Sequence, residues 1–291
     1  MVPTGTVAAI MSTLMWIIAG TISKKISREL GSHLTAFLVV TLSLIPILTA
    51  TLLVGVYTIP LEGIILAVVA GIFLGIGFIL GFKALQTENL SSVSSLTEIQ
   101  PAVLVLLGLF ALGEHITTLQ VMSIITVFLG ASMILTTEKF DINKKLIPAI
   151  LSSISWTFYW AIMTYSITNS NTFALPVFIS RAIGIPFVIV YLLRDRKAPS
   201  VVLFFKKLKR NRTFTVLIAL TIIASFADAV GDVLFGITVG SPVLAIGAAI
   251  IALSPMMISF FGFVLYKERL TRLQLFGLLI MIIGALALSI L

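Results

Sequence analysis

Four ionisable side chains stand where an apolar chain has no ordinary use for them: Glu98, Arg181, Asp228 and Asp232. Each falls within a long apolar run, where a charged side chain costs about 2.5–3.5 kcal/mol to insert into hydrocarbon. Asp228 and Asp232 are four residues apart, so a helix puts both carboxylates on one face. That face has to look into a protein interior or a wet cavity. Two roles fit: binding a proton or the cationic group of a solute, or a structural ion pair between Arg181 and one aspartate that leaves the second carboxylate for function. Glu98 lies just ahead of Gln100 and Pro101. Proline removes an N–H, frees a carbonyl about a turn earlier and bends a helix. An acidic side chain at a bend suits a gate or a solute contact, or else a hydrogen-bonded structural glutamate.

The aromatic residues add a second kind of chemistry. Trp16 and Trp156 fall near the middles of apolar runs, away from the interfaces where membrane aromatics collect. They suit either the wall of a solute cavity, stacking on a ring or facing a cation, or simple core packing. Tyr159 and Trp160 follow within the same run, and packing is the plainer reading for them. Chemistry of other kinds finds no support. There is no cysteine, His33 and His115 stand in or beside loops, and neither a metal-binding HExxH spacing nor a phosphate-cradling Gly-Lys-Ser loop occurs. No enzyme activity, cofactor, metal or nucleic-acid partner is expected.

The elements that position these residues follow from composition. Of 291 residues, 59% are hydrophobic and 10% charged, whereas a soluble domain carries about 25% charged residues. The chain reads as a multi-pass protein of the cell membrane. Its first apolar run has no basic stretch before it and no cleavage site, so no removable leader is expected. Spans of about 20 residues fit ten times, at roughly 4–23, 34–57, 61–83, 91–112, 117–136, 144–168, 172–193, 213–239, 242–265 and 271–291.

The stretch from Pro101 to Leu135 is written twice. Pro101, Gly108, Glu114, Thr117, Gln120 and Gly130 return 154 residues later as Pro255, Gly262, Glu268, Thr271, Gln274 and Gly284. In the first two spans the offset is 140: Ser12 and Trp16 return as Ser152 and Trp156, and Pro46 as Pro186. The fold class is therefore all-α, ten transmembrane helices as two five-helix repeats over 1–140 and 141–291. Five is odd, so the second repeat enters the membrane inverted, an architecture of secondary transporters. Pro101 and Pro255 are the candidate gate or kink positions. Glu114 and Glu268 stand at helix ends and read as turn or capping residues, with Thr117 and Thr271 placed to cap the helices that follow. Gly71, Gly75, Gly77 and Gly81 permit close helix packing.

Charge sets the orientation. The odd-numbered loops hold 18 of the 19 basic side chains, among them Lys24, Lys25, Arg28, Lys83 and the cluster Lys206 to Arg212, and the nineteenth is Arg181. By the positive-inside rule the odd loops are cytoplasmic and both termini are outside. The Lys206–Arg212 cluster, preceded by Val201 to Phe205, reads as an orientation signal or as a segment docked on anionic lipid.

Gly113–Glu114 with Leu119–Gln120 and Gly130, the matching Lys267–Glu268 with Leu273–Gln274 and Gly284, Trp16 and Trp156, and Arg181 together resemble the EamA-type members of the drug/metabolite transporter superfamily. The resemblance spans the chain. Trp16–Ile17 and Trp156–Thr157 stand where that family usually has Trp-Gly, and Thr41 stands where a first-half arginine is expected. The resemblance implies alternating-access transport of an amino acid or related metabolite, as export, through a cavity lined by spans 1, 3, 4, 6, 8 and 9, with cytoplasmic termini. The expected solute contacts are Trp16, Glu98, Gln100, Trp156, Tyr159, Arg181, Asp228 and Asp232, with proton coupling through Glu98, Asp228 or Asp232. A monomer or homodimer that binds a small-molecule substrate within the bilayer is expected. The alternatives are a lipid-headgroup or polyprenyl-phosphate flippase using Arg181 and a membrane-embedded lipid-modifying enzyme.

Overall fold

The computed structural model describes residues 4–87, 90, 93, 99–135, 147–194, 212–267 and 271–290. Glu98, Glu268 and all of the Lys206–Arg212 cluster except Arg212 lie outside them. The described residues form eleven α-helices: α1 (Thr4–Leu30), α2 (Ser32–Val54), α3 (Leu61–Thr87), α4 (Ile99–Leu106), α5 (Thr118–Leu135), α6 (Ile147–Ser170), α7 (Ala174–Arg194), α8 (Arg212–Val239), α9 (Leu244–Ile251), α10 (Ser254–Tyr266) and α11 (Arg272–Ile290). A π-helical turn, Leu107–Ala111, continues α4. Helices are what a lipid-embedded chain must form, because each backbone polar group then finds its partner within the segment. Six of them, α1, α2, α3, α6, α7 and α8, are long and apolar enough to cross a membrane.

The distribution of side chains agrees with that environment. Large apolar residues such as Leu53, Phe110 and Leu193 are exposed, while Ser12, Ser152, Ser153, Ser180 and Arg181 are buried. A soluble protein sorts the two kinds the other way round.

Three boundaries differ from expectation, one of them that of α3, which runs on to Thr87 and so holds Lys83 within the helix and not in a loop. The first helix runs on to Leu30, so Lys24, Lys25 and Arg28 belong to its last turns and not to a loop. Lysine stems cover apolar surface while their charge reaches the helix end, and such residues do not stop a helix. Gly31, at φ 84°, then reverses the chain into α2, a conformation that glycine adopts without cost. The ninth expected span is two helices, α9 and α10, interrupted at Ala252–Leu253. Pro255 lies in the first turn of α10 and has no N–H to give the Ile251 carbonyl. The Ser254 hydroxyl donates to that carbonyl instead, so the chain breaks where a kink was expected.

Helix directions follow from their contacts. At one end the start of α2 meets the close of α3, Ser32 N donating to Gln86 Oε1 at 3.4 Å. There His33 stacks on Tyr191 of α7, Leu30 packs with Leu217 of α8, Ala84 of α3 with Ala149 of α6, and the Tyr266 hydroxyl of α10 donates to Thr21 O of α1. This basic end carries Lys24, Lys25, Arg28, Lys83, Arg194, Arg212 and Lys267. Helices α1, α3, α7 and α10 run toward it; α2, α6 and α8 run away. The main pairings are α1 with α8, α3 with α6, α5 with α11, and α7 with α2 and α3. The four α3 glycines divide between two neighbours: Gly71 and Gly75 lie against Ile183, Gly184 and Phe187 of α7, Gly77 and Gly81 against Trp156 and Ser152 of α6.

Candidate functional site

The site is built on two helix crossings. Where α1 crosses α8, Ser12 Oγ donates to Gly231 O at 2.8 Å, and the Trp16 indole lies so close that a Cβ on Gly231 would come within 2.6 Å of it. Where α6 crosses α3, Ser152 Oγ donates to Gly77 O at 2.9 Å, with the Trp156 indole 3.2 Å from where a Gly77 Cβ would stand. Only glycine lets backbone and indole approach so closely.

Arg181 of α7 reaches between the two aspartates of α8. Its NH1 donates to Asp228 Oδ2 at 2.9 Å and its NH2 to Asp232 Oδ2. Asp232 Oδ1 accepts the Trp16 indole N–H at 3.1 Å, and the guanidinium sits 4.7 Å over the Phe78 ring of α3. Both aspartates therefore pair with Arg181, where one was expected. A low-dielectric site makes such pairing obligatory, because an uncompensated charge there costs several kcal/mol. With one guanidinium and two carboxylates, the cluster carries one surplus negative charge when all three groups are ionised. Arg181 is fully buried and the Asp232 side chain is 1% exposed, but the Asp228 side chain keeps 13%.

That exposed part of Asp228 faces a cavity of about 220 Å³. The walls are Trp16, Gly20 and Ser23 of α1, Gly77, Phe78, Gly81 and Phe82 of α3, Gln100 and Pro101 of α4, Trp156 and Trp160 of α6, and Ile251, Ser254 and Ile258 around the break between α9 and α10. It extends from the level of the two crossings to Ser23 and Leu85, near the basic end. Of the expected contacts, the structure brings Trp16, Gln100, Trp156 and Asp228 to this cavity, with Pro101. Arg181, Asp232 and Tyr159 stand behind its wall, the Tyr159 hydroxyl 3.4 Å from Ser180 Oγ. Glu98 is outside the described residues.

The EamA-like transporter family model matches the sequence twice, over residues 3–136 and 143–290. The chain belongs to that family. No curated protein matches it. A solved structure titled "Crystal structure of protein" is similar, with a TM-score of 0.68 at 14% identity over 98% of this chain and 96% of that one; this likeness concerns the fold. The chain is thus a multi-pass membrane protein of a family of transporters.

In this EamA-like chain the end opposite the basic one is tightly packed. Gly5 of α1 lies against Ser241 and Val243, and Thr238 Oγ1 donates to Gly5 O at 3.0 Å. The Thr51 hydroxyl of α2 donates to Ala174 O of α7, and Ser166 Oγ of α6 to Gly63 O of α3. Glu114, from the connection before α5, accepts the backbone N–H groups of Leu244 and Ala245 at 2.7 and 2.8 Å. It thereby caps α9, which belongs to the other half of the sequence, and its charge suits that helix N-terminus. Thr117 does cap its own helix: Gln120 N donates to Thr117 Oγ1 at 3.2 Å and Thr117 N to Gln120 Oε1 at 2.8 Å, a capping box.

Trp160, Ser23 and Ser254 line the cavity although none was among the expected solute contacts. Ser254 had a signal, a serine directly before a proline inside an apolar run. Trp160 had a weaker one, its helical spacing from Trp156. The partner of Glu114 had none, since it lies 130 residues away.

Proposed function

We propose that the chain is a secondary-active transporter, moving a small organic solute by alternating access between two inverted five-span halves, 1–140 and 141–291. The observation that carries this reading is the cavity at the level of the two crossings, walled by both halves, with a carboxylate in it and a lining that extends toward the basic end. Its volume lies below the roughly 300–1,000 Å³ of drug-sized sites, which suits a metabolite. The inverted arrangement is supported by helix direction: α1 runs toward the basic end and its sequence counterpart α6 runs away. The packing supports it too, since α1 on α8 and α3 on α6 are exchanged counterparts, down to the Ser12–Gly231 and Ser152–Gly77 hydrogen bonds. Helices interrupted near a central site, as α9 and α10 are, recur in secondary transporters.

By the positive-inside rule the basic end is cytoplasmic and the termini outside, although the family resemblance sets them inside. The cell membrane, monomer or homodimer state, and anionic lipid beside Lys206–Arg212 belong to the same reading. The solute class the family suggests is an amino acid or related metabolite, exported, with protons coupled through Asp228, Asp232 or Glu98. The flippase alternative needs Arg181 for a phosphate, and both terminal nitrogens of Arg181 already serve carboxylates. Solute counterflow in proteoliposomes tests the proposal. Purified protein is expected to exchange a labelled solute across the bilayer, and Asp228→Asn and Asp232→Asn to change the rate or its pH profile. Chemical conversion of solute or lipid without counterflow contradicts transport; wild-type rates and pH profiles in both variants reduce the carboxylates to structural groups.

A further inference from the structure

The cavity has an unbalanced charge. Among its described lining residues Asp228 is the one ionisable side chain. Its Oδ2 accepts from Arg181, while Oδ1 has no hydrogen-bond partner among the described residues. Asp232 by itself suffices to neutralise Arg181, and its own second oxygen is taken by Trp16. A solute inside the cavity therefore meets a half-satisfied carboxylate and, among the described lining residues, no cation.

The rest of the wall is aromatic. Trp16, Trp156 and Trp160 are the only tryptophans in the chain, and all three line this cavity together with Phe78 and Phe82. Ring faces carry negative potential and attract cations, most strongly when water is excluded. A carboxylate and an aromatic wall within one small space both suit a cationic ligand, and the carboxylate disfavours an anion.

We infer that the solute is an organic monocation, a protonated amine or quaternary ammonium on an aromatic or apolar body, with Asp228 its counter-charge and the tryptophans its walls. This rests on the transporter reading and narrows it: a free amino acid's carboxylate would find no cation among the described lining residues. Solutes of the inferred class carry the amine without a free carboxylate. The buried arginine is a positioning residue that holds Asp228 in place.

Because every tryptophan lies in the site, intrinsic fluorescence reads occupancy without background from other tryptophans. The experiment titrates purified protein with three probes of one shape: 2-phenylethylamine, 2-phenylethanol and 3-phenylpropionate. The amine is expected to give a saturable fluorescence change, the alcohol to bind at least about tenfold more weakly, and the carboxylate to give none. Asp228→Asn, which leaves the Arg181–Asp232 pair intact, is expected to bring the amine to the alcohol's affinity. Thermal unfolding and a monodisperse elution profile check that this variant is folded; if it is not, Asp228→Glu is used, with the amine preference expected to persist. Binding of the carboxylate as tight as that of the amine, an amine preference that survives Asp228→Asn, or no saturable change with any probe overturns the inference. Counterflow with the same probes separates the two layers: amine binding without amine counterflow sinks the transporter reading and keeps the cation site, while counterflow of the carboxylate alone does the reverse.

Discussion

The two tryptophan–glycine crossings share a frame and differ in chemistry. Ser12, Trp16 and Gly231 on one side correspond to Ser152, Trp156 and Gly77 on the other, with matching serine hydrogen bonds of 2.8 and 2.9 Å. Around that frame the residues part company. Asp232 corresponds by sequence offset to Phe78, Asp228 to Leu74 and Arg181 to Thr41. The Trp16 indole N–H meets a carboxylate, whereas the Trp156 and Phe78 rings pack T-shaped with centroids 4.8 Å apart. The Phe78 ring also covers the Arg181 guanidinium. Thr41 Oγ1, in the arginine's corresponding place, is buried without a hydrogen-bond partner among the described residues. Duplication supplies the scaffold twice, and the charge cluster is a property of one copy that the other copy covers.

Substitutions made in matched pairs break or sharpen this comparison. The largest contrast is Arg181→Ala against Thr41→Val. The first strands two buried carboxylates and is expected to cost about 3–5 kcal/mol; the second removes a hydroxyl without a partner and is expected to be neutral or slightly stabilising. Thermal unfolding in detergent measures both, and equal losses would contradict the assignment of the charge cluster to one side. Next comes Trp16→Phe against Trp156→Phe. Only the former loses a hydrogen bond to a buried carboxylate, an expected cost of about 1.5–3 kcal/mol, and matched losses would mean that the Asp232 contact contributes nothing.

A methyl at Gly231 comes within 2.6 Å of the Trp16 indole, one at Gly77 within 3.2 Å of Trp156. Gly231→Ala is expected to cost about 1–3 kcal/mol by overpacking, and Gly77→Ala less; the reverse order would contradict the geometry. The smallest effects test the shared frame. Ser12→Ala and Ser152→Ala are expected to lose about 1 kcal/mol each, with similar melting temperatures. A large difference between them would show that the crossings are not equivalent.

Much of this was legible in residue types and offsets. The charge cluster could be nominated because four ionisable residues in apolar runs demand partners, and the serine–tryptophan frame because its members return at 140 and 154. Other features lie beyond sequence pattern. Apolar periodicity does not separate a kink from a break, so 242–265 read as one span although Ser254 and Pro255 end one helix and begin another. Basic residues suggested a loop after 23, yet lysines at a helix end leave the helix intact. That both aspartates share Arg181, and that Glu114 caps a helix of the other half, are tertiary facts that no local spacing records.

Alternating access through this cavity requires it to be reached from the basic end, toward which Ser23 and Leu85 extend its lining, while Glu114 and the Gly5–Thr238 contact pack the other end. The chain has no cysteine, and a Cβ at Gly20 on the cavity wall meets nothing within 4 Å, so Gly20→Cys gives a clean probe. Its rate of modification by a small membrane-impermeant methanethiosulfonate is measured from each face of sealed proteoliposomes, alone and with Glu114→Gln. Rapid reaction from the basic face, little from the opposite face, and a redistribution between the faces when the Glu114 cap is weakened are the predicted result. Equal reaction from both faces, or from neither, with no response to Glu114→Gln, would contradict it.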